Sequence, residues 1–100
     1  MTHLPDAAAA TTMAEVRAGI DTLDRAIVAL LARRMRFIER AGLIKPDREM
    51  VRDEWRKADV LAKVAAASAV EGFPPDLARA LWEQLVEASI AHEFEVFDRR

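Results

Sequence analysis

The feature that most limits how this chain can fold is a run of apolar residues at alternating steps of three and four: Met13, Val16, Ile20, Leu23, Ile27, Leu30, then Phe37 and Ala41. This is heptad spacing, the pattern of a helix that buries one narrow seam. Thr12, with Glu15 three residues on, makes a capping-box signature at the start, and no proline interrupts the run before Pro46. The spacing predicts a helix of about 30 residues, roughly 45 Å long at 1.5 Å per residue. A domain of 100 residues has a radius of gyration of only about 13 Å, so this helix outruns the core its own chain can build. A second copy packed along the seam is the expected cover, giving a homodimer whose sites draw on both chains.

The rest of the chain reads as two further helices. Lys45-Pro46-Asp47 breaks the pattern, because proline lacks an amide hydrogen and disfavours helical geometry in the residue before it. A second helix is expected from near Glu49 to about Val70, with Val51, Trp55, Ala58, Ala62 and Ala65 as its apolar stripe. The segment Glu71-Gly72-Phe73-Pro74-Pro75-Asp76 supplies a stop and then a start, and a third helix runs from there to the end. Glycine and proline total seven, alanine is abundant and tyrosine absent, which is the usage of packed helices. The fold class is therefore all-α, with a loose N-terminal tail over residues 1–12, one domain over 13–100, and no repeat.

Charge and composition remove several classes of function. Fifteen Lys and Arg against seventeen Asp and Glu leave a net charge of −2, which gives no general affinity for nucleic acid or anionic membrane. Arg33, Arg34, Arg36 and Arg40 form a local basic run, diluted by Glu39. No cysteine occurs, and the two histidines, His3 and His92, are far apart, so neither a disulfide nor a metal site is expected. No stretch approaches the roughly 20 apolar residues of a membrane span. The tail lacks the charged start of a secretory signal, so the expected location is the cytoplasm.

Polar residues interrupt the apolar stripes at informative places. Arg34 falls on the seam of the first helix between Leu30 and Phe37. Desolvating a guanidinium is costly without an anionic partner, so Arg34 meets a carboxylate or anionic ligand, or else it sets register or snorkels to water. On the third helix, Trp82, Val86, Ser89, Glu93 and Val96 keep the same spacing, and two of the five are polar. Ile90 and Phe97 flank Glu93, surroundings that favour a neutral carboxyl able to donate a hydrogen bond, against the plainer reading of an ion pair or a solvated end. Asp53 and Arg56 share a face three residues apart and read alone as a surface ion pair, with Lys57 beside them solvated. Lys45, closing the first helix, reads alone as a complement to the helix dipole.

Together these positions resemble the all-α chorismate mutase family, the AroQ class, from about Met13 to Phe97. The resemblance is carried by VRAGIDTLDRAIVALLARRM, by Lys45 followed by VRDEWRKADVL, and by LWEQLVEASIAHE. It implies an intertwined three-helix homodimer that rearranges chorismate to prephenate in aromatic amino acid biosynthesis, with no cofactor and no metal. Residue by residue, it implies that Arg34 and Arg17 of a second copy hold the substrate carboxylates, joined by Arg56. Lys45 is implied at the ether oxygen, where charge grows as the bond breaks, and Glu93 beside it. Asp53 is implied at the ring hydroxyl, Ser89 at the carboxylate end, and Val86 and Ile90 as apolar walls.

Two departures from the family pattern bear on substrate. Glu93 stands where bacterial members usually place glutamine, so it can donate to the ether oxygen only while protonated; activity falling with rising pH, and a flat profile in Glu93→Gln, are the expected signatures. Lys57 stands where typical mutases carry a glutamate that reads the ring hydroxyl. Isochorismate-pyruvate lyases, which form salicylate on the same fold, tend to lack that glutamate, and RRMRFIERAGLIK is similar to that branch. The lyase is thus the enzyme alternative, with the amino analogue of chorismate a further possible substrate, while the presence of Asp53 favours the mutase. A helical dimerisation module is the non-enzymatic alternative, but it gives no reason for Arg34, Ser89 and Glu93 to interrupt apolar stripes.

Overall fold

The computed structural model describes residues 4–100, which form three α-helices and two short 3-10 turns, with no strand among the described residues. Helix α1 spans Met13–Ile44, α2 Glu54–Val70 and α3 Pro75–Arg99. The long first helix, the break at Lys45 and the restart at Pro75 all agree with the pattern of the sequence.

Side chains and chain breaks account for these bounds. At the start of α1 the Thr12 hydroxyl accepts from the Glu15 amide at 3.1 Å and donates to the Glu15 carboxylate at 3.1 Å, so one residue satisfies a free amide and anchors its partner. At the other end the Lys45 amide donates to Ala41 O at 3.0 Å. The next residue is Pro46, which has no hydrogen to offer Gly42 O, and the helix stops. Gly72, at a φ of 72°, makes the left-handed turn after α2, and Pro75 opens the first turn of α3.

The chain falls into two compact units, Met1–Arg36 and Phe37–Arg100, divided within α1. In the first, the turn Ala7–Ala9 is capped by Asp6, whose side chain accepts from the Ala8 amide. The loose tail expected over residues 1–12 falls partly on residues 1–3, which lie outside the described residues. The heptad residues of this unit, Met13, Val16, Ile20, Leu23, Ile27 and Leu30, are all exposed.

The second unit contains the end of α1 and the packed pair α2 and α3. Its core joins Val51, Val86 and Ile90, with Val60, Trp82, Phe94 and Phe97 against them. Gly42 marks the close approach of α1 to α3, since a Cβ there would stand 3.0 Å from Glu93 O and 3.1 Å from Val96 Cβ.

Two expectations for α2 are corrected. The helix starts at Glu54 rather than near Glu49, because Asp53 accepts from the Arg56 amide at 2.9 Å and so fixes the first turn; Arg48–Met50 is a separate 3-10 turn. Its buried face is also not the whole stripe of Val51, Trp55, Ala58, Ala62 and Ala65. Val51, which precedes the helix, and Ala65 are buried, but Trp55 is 75% exposed and Ala58 and Ala62 are exposed as well. Lys57, Val60, Leu61, Val64, Ala65 and Ser68 take the inner face instead, since the branched residues offer more apolar area to bury than alanine does. Among the described residues no helix is long and apolar enough to cross a membrane.

Candidate active site

Lys45 follows the last turn of α1, and its ammonium turns onto α3. Nζ lies 2.6 Å from Glu93 Oε2 and donates to Val51 O at 3.3 Å. Glu93 is only 4% exposed. Glu93 Oε2 is ion-paired with the lysine at short range but has no hydrogen-bond partner. A buried oxygen left in that condition is uncommon in protein interiors. Val86, Ser89 and Ile90 share the buried face of α3 with Glu93. The Ser89 hydroxyl donates to Leu85 O at 2.7 Å. Val86 and Ile90 join Val51, whose carbonyl binds Lys45, as an apolar wall around the charged pair.

The other residues singled out in the sequence are placed differently. Asp53 caps α2 through its carboxylate rather than pairing with the Arg56 side chain, which corrects the surface-pair reading. Arg56, with its side chain 58% exposed, pairs instead with Asp59 at 2.6 Å. Asp59 also receives Lys63, and the two cations, Lys63 foremost, hold its carboxyl below the usual carboxylate range. Arg17 is exposed and Arg34 half-buried on α1, both within the first unit.

Lys57 is not the solvated cation it resembles in sequence. It is partly buried and donates to Glu83 at 2.5 Å and Glu87 at 2.9 Å. Glu83 and Glu87 are one helical turn apart on α3, so both carboxylates reach one ammonium. Arg52 grips Glu87 from the other side with two bonds, of 2.7 and 3.2 Å, and also reaches Glu54. These donors, Arg52 first and then Lys57, bring the Glu87 carboxyl down to about 2. Three further contacts were not anticipated: His92 with Glu39 at 2.8 Å, Arg48 with Asp98 at 3.0 Å, and Arg100 on the end of α1. Charged residues on exposed-looking faces carry no periodic signal, which is why spacing did not find them.

A groove of about 640 Å³ opens in the first unit between Pro5–Ala10 and the early turns of α1. Its charged lining is Asp6 and Glu15, the wrong sign for an anionic substrate. Among the described residues no group of His, Asp or Glu is arranged to hold a metal ion.

The segments that supply Lys45, Val51, the α2 cap, Val86, Ser89 and Glu93 all fall within one stretch that a family model, chorismate mutase type II, matches over residues 16–94. The chain belongs to that family. No curated protein is significantly similar to the chain. Chorismate mutases are isomerases, and membership supports chorismate mutase function over the lyase branch, the amino analogue and a purely structural helical module. The departures at Lys57 and Glu93 are thus differences within a chorismate mutase.

Proposed function

We propose that this chorismate mutase converts chorismate to prephenate at a site centred on Lys45 and Glu93. The observation that carries the reading is an ammonium 2.6 Å from a nearly inaccessible carboxylate, against an apolar wall of α3. In the rearrangement a carbon–oxygen bond breaks as a carbon–carbon bond forms within one molecule, and no proton or electron leaves the substrate. The protein's task is to hold a compact conformer and to meet the charge that grows on the ether oxygen. Lys45 supplies that positive charge. Glu93 fixes the ammonium through the ion pair. Val86 and Ile90 exclude water, which strengthens each of these interactions.

Arg34, Arg56 and Arg17 of a second copy bind the two substrate carboxylates, Asp53 the ring hydroxyl and Ser89 the carboxylate end, as the family resemblance implies. The chain works as a homodimer. Supporting this, the seam of α1 presents Met13, Val16, Ile20, Leu23, Ile27 and Leu30 as an exposed apolar row that a second copy would cover.

The test is incubation of purified protein with chorismate and, in parallel, isochorismate, reading prephenate, salicylate and pyruvate. Prephenate from chorismate, lost in Lys45→Met, is the expected result. A folded protein that leaves chorismate unchanged, or a Lys45→Met variant as active as the parent, overturns the reading; salicylate and pyruvate from isochorismate alone would replace it with the lyase.

A further inference from the structure

The end of α1 is closed from a distant part of the chain. Arg100 Nη1 lies within 3.2 Å of Gly42 O and Leu43 O and 2.6 Å from Lys45 O, and Nη2 donates to Pro46 O at 3.3 Å. A helix leaves its last carbonyls without amide partners. Gly42 O would ordinarily receive the amide four residues on, but that residue is Pro46, which has no hydrogen. The Arg100 guanidinium takes the place of the missing donors, with a full positive charge at the negative end of the helix dipole. Its own position is fixed by stacking on Phe97, with the guanidinium carbon 3.7 Å from the ring centre.

We propose that Arg100 is a positioning residue for Lys45. The shortest of its bonds is to the backbone carbonyl of Lys45 itself. The lysine side chain is four carbons long and flexible, so the placement of its ammonium beside Glu93 depends on where its backbone is held. Arg48 holds the following turn in the same way, bonded to Asp98 and stacked over Phe94 at 4.5 Å. Both arginines dock on the last turns of α3, downstream of Glu93. The inference rests on the reading that Lys45 acts at the breaking bond.

The experiment is a double-mutant cycle on turnover of chorismate by the full chain, with helical circular dichroism confirming that each variant is folded. Arg100→Met keeps the apolar stem and removes every donor; kcat is expected to fall about tenfold with KM within a factor of two, as an ångström-scale displacement of one charged group would give. Arg100→Lys, which can reach one carbonyl but cannot fork, recovers part of the loss. Because Arg100 acts through Lys45, adding Arg100→Met to Lys45→Met costs nothing further. Unchanged kcat in Arg100→Met, or losses that multiply in the double variant, overturn the proposal. If Lys45→Met alone keeps full activity, the reading of Lys45 fails first, and that outcome is distinct from either result at Arg100.

Discussion

Glu93 and Lys45 depend on one another, and the asymmetry of their burial determines which substitution is worse. The Glu93 side chain is 6% exposed against 27% for Lys45, so removing the lysine strands a charge that water cannot reach. Lys45→Met is expected to lower stability by on the order of 3 kcal/mol, whereas Lys45→Met with Glu93→Gln, which leaves no stranded charge, regains most of it while remaining inactive. Thermal melts beside chorismate turnover check this; a double variant no more stable than the single one would contradict it. The polarity of Ser89 and Glu93 on an apolar stripe was readable from spacing, because the third helix does bury that face. The meeting of Glu93 with Lys45 was implied by the family resemblance alone, since no periodicity links residues 48 positions apart. The Asp53 cap was also open to reading from its residue type, but a surface ion pair between Asp53 and Arg56 competed for the same residue.

At the scale of the helices, two contacts hold α1, α2 and α3 in register within the second unit. One is Gly42, where α1 meets the backbone of Glu93. Alanine in a helix interior is better than glycine by up to about 1 kcal/mol, but a Cβ 3.0 Å from Glu93 O forces α3 outward at a cost of about 1–3 kcal/mol. Gly42→Ala is therefore expected to melt at lower temperature and to lose activity; a gain in both would show that the approach is slack. The other is the network of Arg52, Lys57, Glu83 and Glu87 between α2 and α3. Glu87 is depressed from 4.5 to about 2, so its contribution is complete above pH 4.5 and is lost as the pH falls toward 2. Melting temperature across that window is expected to fall less in Glu87→Gln than in the parent, by a small margin because the pair is partly exposed. The inner face of α2 was misread because alanine periodicity imitates a buried stripe; Val60, Leu61 and Val64 held the correct face, three and four residues apart.

For the whole molecule, the long first helix was the most legible feature, because heptad spacing, an N-terminal cap and a proline stop all agreed. The exposed seam it leaves carries its own prediction. Ile20→Glu and Ile27→Glu together place charges where a second copy would bury apolar surface, and the dimer is expected to weaken by on the order of a hundredfold. Sedimentation velocity should record the shift to monomer, and turnover should fall with it on the proposal that Arg17 is shared between copies. A monomer that retains full activity would remove the second copy from the site. The close of α1 has a consequence for synthesis. The counter-ion of Lys45 and the donors that replace the hydrogen Pro46 lacks all lie in residues 93–100. A growing polypeptide thus presents Lys45 well before the segment that fixes its place has been made, and the pair with Glu93 forms only once residues 93–100 are free to fold back onto the end of α1.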